Sequence, residues 1–237
     1  VGTTLFNMIV NPVSGKLYVA NTEANDMKRF EGPGLDPYVN TTNRGDFVRS
    51  RITVIENGSA TPVHLNKHID YSQCCDAPGN AEARKSLAFP RQMAVSADGQ
   101  TLYVTALGSG KIGVYDTQSL ETDTFIPSEA SQIVLSAGGP SGIVLDETRN
   151  RLYVRTQFNN GVSVIDLNSR TEQQALAMHS PEPQNIRAGR TFLYDALATS
   201  SHGDSACAGC HIDGDSDQMA WDLGDPTAET KDIPGSW

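Results

Sequence analysis

The chain is poor in cations, in cysteine and in long apolar runs. Its 18 Lys and Arg stand against 28 Asp and Glu, a formal net charge of −10. A surface of that sign repels phosphate backbones, which argues against nucleic-acid binding and favours a basic partner. No apolar run approaches the roughly 18 residues of a membrane-spanning helix, so no transmembrane segment is expected. The 38% hydrophobic content instead describes a soluble globular protein. Neither a Ser/His/Asp triad nor a phosphate-binding glycine loop is visible, and hydrolase or nucleotide chemistry has no positive support.

Cysteine is scarce, four in 237 residues, but two of the four are placed informatively. Cys207-Ala208-Gly209-Cys210-His211 is a C-x-x-C-H run, which chance would place in roughly one such chain in a thousand. Two thiols one helical turn apart can each add to a haem vinyl group, and the next residue sets an imidazole under the iron. Cys207 and Cys210 are then the thioether tethers, His211 is the proximal ligand, and the cofactor is one haem c per chain. Two other chemistries use a C-x-x-C pair, a redox dithiol and half of a zinc site. The first usually follows a strand in a βαβ unit, and the second needs another Cys/His pair; neither context is visible. The remaining cysteines, Cys74 and Cys75, are adjacent and suit either a vicinal disulfide in an oxidising compartment or two unpaired thiols in a loop. The chain opens on Val1-Gly2-Thr3-Thr4, with no basic and apolar leader pattern. Haem c attachment requires export, so a leader upstream and a periplasmic or extracellular location are expected.

A strand unit occurs three times. Phe6–Val10, Gln92–Val95 and Gly142–Leu145 each lead through a polar turn to a Leu-Tyr-Val, at Leu17, Leu102 and Leu152. A third strand follows at Ile52–Ile55, Ile112–Asp116 and Val162–Asp166, and a fourth is predicted at Thr61–Leu65, Thr122–Ile126 and Glu172–Leu176. In the first unit the third strand is delayed by a polar, turn-rich excursion between Leu17 and Ile52. Leu17-Tyr18-Val19-Ala20-Asn21, Ser96–Val104 and Val162–Asp166 resemble the YVTN-type β-propeller repeat. That resemblance implies four-stranded blades over residues 1–178, mainly β. Three blades cannot close a ring, so another chain, another copy or a missing N-terminal region is expected to complete it.

Ser180-Pro181-Glu182-Pro183 breaks the strand pattern, so residues 179–188 are a predicted linker and 189–237 a small α-helical, cytochrome c-like haem segment. Gly189–Asp195, Ser205–His211 and Ala220–Pro226 are similar to the haem domain of bacterial di-haem cytochrome c peroxidases and related methylamine-utilisation proteins, including those with a YVTN propeller in front. The resemblance implies an oxidoreductase with two haems; this sequence holds one C-x-x-C-H. The expectation is therefore electron transfer through one haem, with the propeller as docking scaffold and a redox protein as partner. The alternatives are a peroxidase-like enzyme whose second haem lies outside this chain, and an interaction protein with a zinc or disulfide C-x-x-C. Candidate sixth iron ligands are His64 and His68, in the first blade's exit loop, with His202 and Met219. Asp213, Asp215 and Asp217 alternate as in the opening of a calcium loop, although Gly224 stands where an EF-hand would place glutamate.

Overall fold

Three rungs of side chains, repeated almost residue for residue, build the molecule. In the computed structural model, which describes residues 2–29, 43–73, 76–222 and the backbone of 233–234, the first unit is β1 (Thr4–Val10), β2 (Leu17–Ala24), β3 (Val48–Glu56) and β4 (Ser59–His64). The second is β5 (Pro90–Val95), β6 (Thr101–Ala106), β7 (Lys111–Asp116) and β8 (Gln132–Val134). The third is β9 (Pro140–Asp146), β10 (Arg151–Thr156), β11 (Gly161–Asp166) and β12 (Thr171–Ala177). Each forms a four-stranded sheet with its strands in sequential order, and every pairing within the three is antiparallel.

The register shows why Leu-Tyr-Val recurs. The tyrosine pairs with Ile9 and Val54 in the first sheet, with Ala94 and Val114 in the second, and with Val144 and Val164 in the third. The preceding leucine pairs with Val10 and Ile55, with Val95 and Tyr115, and with Leu145 and Ile165. Successive strand residues point to opposite faces, so every sheet has a tyrosine face and a leucine face. The tyrosine face of sheet one (Tyr18, Ile52, Val54) packs on the leucine face of sheet two (Met93, Leu102, Tyr115). The tyrosine face of sheet two (Tyr103, Ile112, Val114) meets the leucine face of sheet three (Leu152, Val154, Ile165) in the same way. The turns are joined as well. Gly99, at φ +71°, lies so close to Asn11 and Val13 that a Cβ would meet Asn11 Oδ1 at 2.5 Å, and its carbonyl accepts from Asn11 Nδ2 at 2.8 Å.

The second sheet departs from the expected pattern. Thr122–Ile126 is not its fourth strand; that place belongs to β8, and the chain first makes a short helix, α1 (Thr117–Glu121). Asp116 caps this helix by accepting from Ser119 N at 2.8 Å, and Leu120 is fully buried between the first two sheets. Glu121 then accepts from Tyr18 Oη at 2.5 Å and pairs with Lys16 at 2.9 Å. The capping Asp and the buried Leu outweigh the β-branched residues that suggested a strand.

After β12 come α2 (Gln184–Tyr194), which begins inside the predicted linker, and α3 (Ala196–Thr199). Residues 200–222 are mainly turns. A cytochrome c-like helical segment, expected from 189 onward, is not evident among the described residues: α2 is the one long helix, and the glycine- and aspartate-rich stretch beyond it carries too few apolar side chains to stack further helices. Instead Tyr194, Ala196 and Ala208 pack on Ala88, Phe89 and Leu107 from the loops flanking β5 and β6. Among the described residues no helix is long and apolar enough to cross a membrane.

Leu152 is wholly buried between sheets two and three. Its replacement by Ala is expected to cost about 2–5 kcal/mol, read as a lower urea midpoint. An unchanged midpoint would show that the two sheets are not packed as described.

Candidate functional site

The segment ahead of the cysteines is strapped to the loop between β4 and β5. Asn80 Nδ2 donates to the Ser201 carbonyl at 2.6 Å, and Ser86 Oγ donates to the His202 carbonyl at 2.6 Å. His202, buried, places Nδ1 2.6 Å from Glu82 Oε1 and Nε2 3.2 Å from the Arg44 carbonyl. Each ring nitrogen thus faces an oxygen acceptor. Gly203 sits at φ +68° with the Ala83 backbone where a Cβ would lie, an approach open only to glycine. Asp204 is fully buried; its Oδ2 accepts from Tyr71 Oη at 2.6 Å, and its Oδ1 has no hydrogen-bond partner among the described residues. Burial pushes the Asp204 carboxyl up to about 6. Tyr71 in turn lies under the Arg49 guanidinium, 5.6 Å from its ring centroid, and Arg49 binds the buried Asp46 through both carboxylate oxygens.

The C-x-x-C-H residues form one tight turn over Cys207–Gly209, closed by Cys210 N and His211 N on the Cys207 carbonyl at 3.2 and 2.9 Å. Gly209 presses against Val48 and Phe89. Cys210 and Met219 pack with Phe47, Ala24, Val48 and Trp221 on the ends of β2 and β3. Both thiols are free; Cys207 is exposed and Cys210 half-buried. Burial pushes the Cys210 thiol up to about 12, with the nearby Asp217 charge adding to the effect. The half-buried His211 ring makes no hydrogen bond within the described residues. A mainly apolar cavity of about 260 Å³ opens at this turn, lined by Phe47, Val48, Thr199, Ala206, Cys207 and Cys210 among others. A second cavity, about 240 Å³, shares Phe47, Thr199, Ser200 and Ser205 with it and reaches His202 and Asp204.

The other sequence candidates are distributed as follows. His64 lies in β4, not in the exit loop; it stacks on Tyr71 with centroids 6.4 Å apart, and its buried Nε2 has no hydrogen-bond partner among the described residues. Burial pushes it down to about 4, the Arg49 charge helping. His68 is in the loop, with Nε2 3.1 Å from the Glu82 carbonyl, and burial lowers it as well. Met219 is the one candidate packed in the same cluster as Cys210. The three aspartates are engaged within the chain: Asp213 with Arg91 at 2.8 Å, Asp215 with Ser216 N at 2.8 Å, and Asp217 with Trp221 Nε1 at 2.8 Å. Among the described residues no group of three or more His, Cys, Asp or Glu side chains could hold a metal ion. Cys74 and Cys75 lie outside the described residues. Sequence reading missed Phe47, Val48, Tyr71, Glu82 and Asp204, whose partners are remote in the chain; a lone buried Asp beside the motif carries no local signal.

No family model and no curated protein matches the sequence. The three sequential four-stranded antiparallel sheets, packed face on face, are themselves propeller-like. Parts of several solved structures are similar to this chain. Hydrazine synthase of Kuenenia stuttgartiensis is 17% identical at a TM-score of 0.47, over 69% of this chain and 45% of its own. The periplasmic gluconolactonase of Pseudomonas aeruginosa is 16% identical at 0.44, over 75% and 43%. The β-propeller domain of the trilobed protease from Pyrococcus furiosus is 10% identical at 0.39, over 73% and 42%. The chain thus spans less than half the length of these structures.

The Asp204 carboxyl gives a pH signature. The folded chain holds its proton up to about pH 6, whereas an unfolded Asp releases it near 3.8. Stability from this group is therefore full below 3.8 and is lost as pH rises to about 6. Asp204→Asn, which keeps an acceptor for Tyr71, is expected to be more stable than the parent at pH 7 by about 1–3 kcal/mol, with the gap closing by pH 4. Urea titrations of both proteins at the two pH values check this; a gap independent of pH would mean that Asp204 is ionised throughout.

Proposed function

We propose that this protein is an exported c-type cytochrome that passes electrons through one haem held by Cys207, Cys210 and His211. One observation carries the reading: two free thiols line an apolar cavity, and in the same turn follows an imidazole that makes no hydrogen bond within the described residues. The residues fit the group. Phe47, Val48 and Ala206 offer an apolar wall, and the cavity, just below the roughly 300–1,000 Å³ of cofactor pockets, suits one edge of a macrocycle. Once attached, haem supplies a one-electron iron couple. Cys207 and Cys210 would tether it and His211 would ligate the iron, and the apolar wall would keep water from that edge, raising the cost of charging the iron. The strap through Asn80, Glu82 and Ser86 fixes the segment entering the turn. A redox dithiol is disfavoured by the Cys210 thiol, pushed up to about 12 where such pairs need a depressed value. The net charge of −10 suits a basic electron-transfer partner met at the propeller surface.

The test is a pyridine haemochrome spectrum of the denatured protein after export in a host that attaches haem c. One c-type haem per chain is expected. Cys207→Ser and Cys210→Ser should each weaken covalent retention, and the double variant should abolish it; His211→Ala should keep the tether but change the Soret band of the native protein. Protein without covalent haem would overturn the reading, and a rapid spectral reaction with added peroxide would replace electron transfer by peroxidase chemistry.

A further inference from the structure

Electron transfer through a haem at Cys207, Cys210 and His211 leaves one buried group beside the turn without a task. Asp204 is wholly buried, and among the described residues only its Oδ2 has a hydrogen-bond donor, Tyr71 Oη at 2.6 Å. The groups packed around this pair bring it no free cation. Arg49, on the Tyr71 ring, is bound through Nε and Nη2 to both oxygens of the buried Asp46. His202 stands edge-on to Tyr71 with ring centroids 5.2 Å apart, and its nitrogens face Glu82 Oε1 and the Arg44 carbonyl. His64 lies on Tyr71, and burial pushes it down to about 4, so it is neutral at pH 7. A carboxylate in such surroundings is costly, and a proton removes the cost. A positive charge arriving nearby would remove it too.

The cysteine turn is where such a charge would arrive. Asp204 stands three positions before Cys207, at most about 11 Å of extended chain. It lies in the wall of the cavity that shares Phe47, Thr199, Ser200 and Ser205 with the one at the cysteines. We propose, resting on the haem reading, that Asp204 takes up a proton from solvent when haem held at this turn is reduced and returns it on oxidation. One proton then accompanies each electron: a one-electron donor protein supplies the electron, water supplies the proton, and the buried region gains no net charge. The shared cavity, about 240 Å³ with Ser200, Ser201 and Ser205 in its wall, has room for the water that carries the proton.

The direction and size follow from linkage. At roughly 12 Å and an effective dielectric of about 20, two unit charges shift each other's equilibrium about tenfold, and the coupling is reciprocal. Beside a neutral, reduced centre Asp204 keeps the value of about 6 to which burial pushes it. Beside a positive, oxidised centre it titrates about one pH unit lower. The midpoint potential therefore falls as pH rises between about 5 and 6 and is level on either side.

The experiment is a redox titration of the haem-loaded full chain at pH values from about 4 to 8, for the parent, Asp204→Asn and Tyr71→Phe, with reduced-minus-oxidised infrared spectra at the middle of the window. The parent is expected to show the falling segment, and a protonated-carboxyl band on reduction. Asp204→Asn should lose both. Tyr71→Phe, which removes the donor that favours the ionised form, should move the falling segment to higher pH. A parent potential level across the whole range overturns the coupling, and so does a pH dependence that survives Asp204→Asn. A chain that retains no covalent haem overturns the haem reading and the coupling with it, and the haemochrome spectrum tells that failure from the other two.

Discussion

Alternation of side chains across a strand is the constraint on which the rest of the structure depends. Because Leu17, Leu102 and Leu152 point one way and the tyrosines after them the other, each sheet is apolar on both sides and cannot be stable alone. It must be covered twice. The two internal interfaces bury large aliphatic side chains such as Ile52, Leu102, Ile112 and Leu152 completely. The repeat is therefore a packing rule rather than a binding motif: a blade is a unit that needs neighbours. The same rule places the loops. With three sheets stacked face to face, the connections after β2, β4, β6 and β10 gather at one end, and there the C-terminal tail finds its support.

The tail is held by polar strapping as much as by apolar contact. His202 and Asp204 are buried ionisable groups, costly unless paired. Glu82 and the Arg44 carbonyl compensate the first; Tyr71 compensates one oxygen of the second. Tyr71 is held in turn between His64 and Arg49, and Arg49 is anchored on Asp46. The chain of contacts runs from strand residues of the first sheet to the residue three places before Cys207. The orientation of the C-x-x-C-H turn is thus inherited from the sheets.

The fold was legible where the determining interactions are local. Strand positions and the shared register follow from period-two alternation and the polar turns between Met8 and Leu17, Met93 and Leu102, or Ile143 and Leu152. The exceptions arose where a single residue outweighs a pattern: Asp116 capping α1 moved the second sheet's outer strand from Thr122 to Gln132. The C-x-x-C-H turn was legible because its chemistry is written in contiguous residues. Its surroundings were not, because the Tyr71–Asp204 and Glu82–His202 pairs join residues more than a hundred positions apart, and no local period encodes such a pairing.

This division bears on what kind of site the cysteines occupy. A self-sufficient haem domain would bury its helices against one another, yet α2 leaves Ile186 and Phe192 exposed and buries Tyr194 alone. The apolar contacts made by the tail go to Phe89, Leu107 and Val48, all from the sheets and their loops. The cavity at the cysteines is walled by Phe47 and Val48 from the first sheet and by Thr199, Ala206 and Cys207 from the tail. Such a composite wall exists only while the tail is docked, so the polarity around any group held there depends on the propeller-like body as much as on the motif. A substitution at Val48, distant from the motif in sequence, then acts on the same cavity as one at Ala206.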